Sequence, residues 1–174
     1  MESINRELLA RAKSCGKGVV LGGPVSITGI EKCEFGNNVH IGINAFIRAQ
    51  GGLKIGDNTH ISRNLLLYTV NHRHSGDRLP YDEELIKKEV VIGKNVWVGM
   101  NVCIAPGTTI GDGAIIGMGT VVSGSIPPLS IVGNAQWRII GWRDKEHYET
   151  CDATKAYGGP NGIPFFLDDA DGVD

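Results

Sequence analysis

From Phe35 to Val122 apolar residues recur at every sixth position in three separate runs. Phe35, Ile41 and Ile47 share one phase, Ile55, Ile61 and Leu67 a second, and isoleucine or valine stands at 92, 98, 104, 110, 116 and 122. An amphipathic helix would return its apolar face every 3.6 residues and a half-buried strand every 2. Six is a multiple of two, so short extended segments can each send one side chain inward before a turn, marked here by Gly-Asp, Gly-Asn or Gly-Lys. No single coil of this kind can bury its apolar residues alone, so the repeat predicts stacked coils, an all-β solenoid of the parallel β-helix type, over residues 19–132.

The phase fails between Leu67 and Ile92, where LYTVNHRHSGDRLPYDEELIKKEVV interposes polar and charged residues. A loop this long inside a compact repeat usually binds or covers something, so residues 71–91 are where chemistry is expected. Residues 1–18 have helix-forming composition, with Ile4, Leu8 and Leu9 on one side, and are expected to cap the open end of the solenoid. Residues 133–174 leave the pattern; their first half reads as helical and the rest as a Pro/Gly-rich extension with an acidic end.

Composition narrows the function. The 174 residues are 41% hydrophobic, and the 25 glycines are spread through the middle of the chain instead of forming a linker. The formal charge is −2, from 17 basic and 19 acidic residues with no basic cluster, which argues against a nucleic-acid partner. The four cysteines (Cys15, Cys33, Cys103, Cys151) lie far apart, giving neither a zinc knuckle nor a dense disulfide frame. The N-terminus lacks the apolar core of a signal peptide and no apolar run is long enough to cross a bilayer, so no membrane insertion and a cytoplasmic location are expected.

The loop begins Asn71-His72-Arg73-His74 and returns to the repeat with Ile92-Gly93-Lys94-Asn95-Val96-Trp97-Val98-Gly99; Ser125-Ile126-Pro127-Pro128 and Arg138-Ile139-Ile140 follow. In this order the motifs resemble the hexapeptide-repeat O-acetyltransferases, in particular the galactoside and maltose O-acetyltransferases and the streptogramin-modifying xenobiotic acetyltransferases. The resemblance runs from about Phe35 to about Ile140. It implies a left-handed β-helix, with three hexapeptides to a triangular coil, a handedness that the period alone does not supply. It also implies acetyl-CoA as acyl donor and a homotrimer whose active sites lie between subunits.

By the same resemblance His72 is the general base that takes the proton of the attacking hydroxyl. An unperturbed imidazole, with a pKa of about 6.5, is available as a neutral base at pH 7. Trp97 resembles the tryptophan beside the donor thiol and acceptor, and it reads equally as a subunit-interface aromatic. Met100, Met118, Ser123 and Arg138 match donor-binding positions, although both methionines also read as filler of the coil surface. Asn44 is an acceptor-binding candidate that also reads as a turn residue, and Arg73 and His74 are further acceptor candidates.

The chain departs from the family in two places. Val122-Ser123-Gly124-Ser125 lacks the lysine expected near the coenzyme phosphates, and Gly133-Asn134-Ala135-Gln136-Trp137-Arg138 lacks a proline and carries one extra residue. No cysteine or serine has an evident neighbouring base, so direct transfer to the hydroxyl of a sugar or polysaccharide unit is expected over an acyl-enzyme. The rival within catalysis is a hydroxylated antibiotic as acceptor. A γ-class carbonic anhydrase on the same solenoid would need coil histidines for zinc, and residues 97–122 contain none. No metal is therefore expected, His40 and His60 included, and a non-catalytic β-helix protein is the last alternative.

Overall fold

The computed structural model describes residues 2–75, 78–81, 83–134, 142, 145–154, 157–158 and 164–165. The chain divides into two units, residues 1–135 and 136–174.

The first unit is a left-handed parallel β-helix. Its strands are two or three residues long and form three parallel sheets, the faces of the prism. The first face contains Ser14–Cys15, Cys33–Phe35, Leu53–Ile55, Val90–Ile92, Thr109–Ile110 and Ser125–Ile126. Val20–Leu21, His40–Ile41, His60–Ile61, Trp97–Val98, Ile115–Ile116 and Ile131–Val132 make the second. The third consists of Ser26–Thr28, Phe46–Arg48, Leu66–Tyr68, Cys103–Ile104 and Val121–Val122. Solenoid pairing already begins at Ser14, where Ser14 and Cys15 sit opposite Glu34 and Phe35, a few residues before the repeat becomes visible in the sequence.

Every residue of the sixfold apolar phase is buried, and the parallel register stacks them in columns: Phe35, Ile55, Ile92 and Ile110; Ile41, Ile61, Val98 and Ile116; Ile47, Leu67, Ile104 and Val122. The corners divide two tasks that the sequence runs together as one turn signal. Asn38, Asn58 and Asn95 at the first corner and Asn44, Asn64 and Asn101 at the second have φ between 54° and 61°, the left-handed conformation that asparagine tolerates. The preceding glycines serve close approach instead: a Cβ on Gly56 would fall 2.7 Å from the backbone of Gly93 and Lys94 in the next coil.

The N-terminal helix Glu2–Ala10 closes one end, with Leu8 and Leu9 packed on the core. Asn5 Nδ2 donates to the carbonyls of Leu21 (3.1 Å) and Gly23 (2.9 Å), which ties the helix to the first turn of the second face. Ile4 departs from the expected apolar side and is 67% exposed. In the second unit a helix, Lys145–Ala153, precedes an antiparallel pair, Tyr157–Gly158 with Pro164–Phe165. No helix among the described residues is long and apolar enough to cross a membrane.

Leu67 has no exposed surface and sits in the column between Ile47 and Ile104. Leu67→Ala is expected to lower unfolding free energy by about 2–5 kcal/mol through lost burial and a residual cavity, read as a drop in the urea midpoint.

Candidate active site

The long loop leaves the third face after Tyr68 and rejoins the first face at Val90. Its neck is closed by backbone pairing: the Lys88 N–H donates to the Thr69 carbonyl at 2.8 Å. The Thr69 hydroxyl donates to Arg48 O at 2.9 Å and accepts from the Gly51 N–H at 2.7 Å, so the departure point is fixed on both sides. Val70 is buried as an anchor. Val70–His72 then pairs antiparallel with Leu85–Lys87, placing His72 opposite Leu85. The histidine thus stands on a short β-hairpin instead of a free loop.

The His72 ring stacks on Tyr81, with centroids 4.1 Å apart and planes 20° from parallel. Its backbone N–H donates to the Asn71 Oδ1 at 2.9 Å. The charges of the hairpin are largely spent within it. Arg73 pairs with Glu84 at 2.6 Å and donates its backbone N–H to the Glu84 carbonyl at 3.0 Å, and Arg78 contacts Glu83. Such exposed pairs are individually weak, about 0–1 kcal/mol each, and they serve mainly to hold the hairpin's shape.

Beside the hairpin lies a cleft of about 220 Å³ lined by Asn71, His72, His74, Ile86, Lys88 and Pro106. A Cβ on Gly107 would lie 3.3 Å from the Lys88 Cδ, so the lysine stem lies across that glycine, and Lys88 lines the cleft with His72 and His74. An imidazole and a lysine lining one cleft, with an apolar wall, suit removing a proton from a hydroxyl and stabilising developing negative charge.

The other residues singled out in the sequence fall elsewhere. Trp97 projects from the second face, 57% exposed, in register between His60 and Ile115. Asn44, Met100 and Met118 lie along the second corner, between the second and third faces, where the Gly119 N–H donates to the Met100 carbonyl at 2.8 Å. Ser123 is exposed at the third corner, one coil beyond Pro106 and on the same corner as His72. Arg138 lies outside the described residues. One chain therefore divides the set between two corners. The third face separates them, and Phe46, Leu66 and Val121 are exposed along it.

Tyr81, Ile86, Lys88 and Pro106 were not singled out in the sequence. Tyr81 is the lone tyrosine, phenylalanine or tryptophan between His74 and Val90, a signal that could have drawn attention to it. Among the described residues no group of three or more His, Cys, Asp or Glu is placed to hold a metal ion.

Residues 89–124 match the family model described as bacterial transferase hexapeptide (six repeats), and residues 35–69 match the hexapeptide repeat of succinyl-transferase. No curated protein matches the chain. Among solved structures, a hexapeptide-repeat-containing acetyltransferase from Vibrio cholerae is 27% identical, with a TM-score of 0.69 over 83% of this chain and 80% of that one. A maltose O-acetyltransferase from Clostridium difficile 630 is 28% identical, with a TM-score of 0.70 over 83% of this chain and 76% of its own. A galactoside acetyltransferase in complex with coenzyme A is 26% identical, with a TM-score of 0.69 over 92% and 76% of the two chains. The chain is a hexapeptide-repeat acyltransferase. The Vibrio cholerae relative is also solved with acetyl coenzyme A bound.

In this acyltransferase the ring of Tyr81 fixes the plane of the His72 imidazole. Tyr81→Ala is expected to lower turnover about 2- to 10-fold, the equivalent of one aromatic stacking contact, while Tyr81→Phe retains activity. Steady-state rates on the two variants check this, with an unchanged thermal midpoint showing that the coil core is intact.

Proposed function

We propose that the chain transfers an acetyl group from acetyl-CoA to a hydroxyl of a sugar or polysaccharide unit, with His72 as general base. The observation that carries this reading is the His72 imidazole held at the mouth of the hairpin cleft, stacked on Tyr81 and flanked by Lys88. The relatives solved with acetyl-CoA or coenzyme A support the donor.

The reaction balances without a covalent enzyme intermediate. The acceptor oxygen attacks the thioester carbonyl carbon as its proton passes to an imidazole nitrogen of His72. The carbonyl oxygen takes up the negative charge, stabilised by Lys88 and by backbone N–H groups held on the stiff coil. Collapse breaks the carbon–sulfur bond, and the imidazolium returns the proton to the departing thiolate. A cysteine nucleophile finds little support: Cys33 is buried and its thiol is pushed up to about 12 by burial, reinforced by Glu31.

Donor contacts at Met100, Met118 and Ser123, with Trp97 shielding the thioester, complete the site only when a second copy supplies one of the two corners. A homotrimer meets that need. The outward apolar residues Val20, Trp97 and Ile131 of the second face and Phe46, Leu66 and Val121 of the third are the surface it would cover. Asn44, Arg73 and His74 are proposed to contribute to acceptor binding around it.

With acetyl-CoA and a panel of sugars, nucleotide sugars and hydroxylated antibiotics, free-thiol release is expected with a saccharide, and His72→Ala is expected to lose about 10²–10⁴-fold in turnover. An unchanged rate in that variant, or a trapped acetyl-enzyme, overturns the mechanism. Sedimentation velocity is expected to give a species of three chains; a monomer at assay concentration removes the shared site.

A further inference from the structure

The second corner carries a cleft distinct from the one beside His72. Its volume is about 370 Å³, and Arg63, His40 and Ser62 meet there over Gly22 and Gly42, with Ile43 and Met100 completing the wall. The imidazole of His40 extends across Gly22, where a Cβ would lie 3.1 Å from Nε2, so glycine leaves the space open. Of the corner segments 22–25, 42–45, 62–65, 99–102 and 117–120, Arg63 is the one charged residue. Among the described residues no carboxylate lies in ion-pair range of its guanidinium.

An unneutralised guanidinium beside an imidazole and a hydroxyl, each able to donate as well, offers several hydrogen-bond donors to an anion. The planar fork of arginine matches two oxygens of a carboxylate or phosphate, and a concave site raises the local potential. The position along the solenoid decides what the anion belongs to. The Asn101 N–H donates to the Arg63 carbonyl at 3.1 Å and the Gly119 N–H to the Met100 carbonyl at 2.8 Å, so Arg63, Met100 and Met118 occupy successive levels. The proposed donor contacts run from Met100 toward Met118, and Arg63 lies on the other side of the Trp97 level.

We infer that Arg63, with His40 and Ser62, binds an anionic group on the acceptor, so that the preferred acceptor is a sugar bearing a carboxylate or phosphate. This rests on the acyl-transfer reading above, with the donor laid along Met100 and Met118. The charge selects the acceptor while the hydroxyl reacts at His72 of the neighbouring copy.

The test compares matched acceptors at saturating acetyl-CoA: methyl glucoside as the neutral sugar, glucuronate as the carboxylate and glucose 6-phosphate as the phosphate, on wild type, Arg63→Gln and Arg63→Lys. A charged acceptor is expected to have a KM about 10- to 100-fold below that of the neutral sugar, the worth of one charge-assisted bidentate contact. Arg63→Gln is expected to abolish that preference, Arg63→Lys to restore part of it, and the Kd for coenzyme A to stay the same in both. Which of the two charged sugars is favoured identifies the anion. Equal KM values for charged and neutral sugars in wild type overturn the inference. So does a loss of coenzyme A affinity in Arg63→Gln, which would assign the guanidinium to the donor phosphates. If no acceptor releases thiol, the acyl-transfer reading fails separately, and calorimetry of glucuronate and glucose 6-phosphate on wild type and Arg63→Gln still decides. Saturable binding lost in the variant supports the anion site, and no binding in wild type removes it.

Discussion

Everything in the solenoid depends on the stacking of one aliphatic side chain per strand directly on its equivalent in the coils above and below. The backbone of each coil finds its hydrogen-bond partners in neighbouring coils, as between Ile55, Ile92 and Ile110 on the first face. A single coil would leave both its apolar residue and its peptide groups unsatisfied, so stability accrues only as coils accumulate. Tight stacking in turn demands corners without bulk. Gly56 and Gly93 lie where the next backbone arrives within van der Waals distance, and asparagines take the left-handed conformation that turns the chain.

This constraint also dictates how the molecule can carry chemistry. An inserted segment has to leave and return at one corner without shifting the register, and the Thr69–Lys88 backbone hydrogen bond closes that gap. The coil beyond it continues in phase, as the pairing of Leu53–Ile55 with Val90–Ile92 across the insertion shows. His72 is thereby projected from a rigid base, on a hairpin whose own ion pairs and the Tyr81 stack hold the ring.

The corners behave as linear arrays, each offering the same turn position at successive levels. On the second corner that array reads Ile43, Arg63, Met100 and Met118, and on the third corner Ala105 is followed by Ser123. A prism that distributes its functional groups over separate corners cannot bring them together by bending, because the stacked core resists deformation. The proposed association of copies would meet that constraint, and Trp97 and Val121 are exposed on the faces concerned.

The sequence by itself determined the inward set, the solenoid and the place of the interruption, because the apolar period follows directly from strand alternation and is a local property of the chain. It also singled out His72, which the hairpin holds at the cleft. The pattern did not reveal that Ile4 faces outward or that glycine and asparagine divide the corner between stacking and turning. Nor did it bring Tyr81 onto His72, since that contact is made only once Asn71 pairs with Ile86 across the hairpin. The meeting of Gly22, His40, Arg63 and Met100 was equally hidden. The insertion lengthens the interval from Arg63 to Met100, and only interstrand hydrogen bonding, which counts coils instead of residues, puts these residues at one corner.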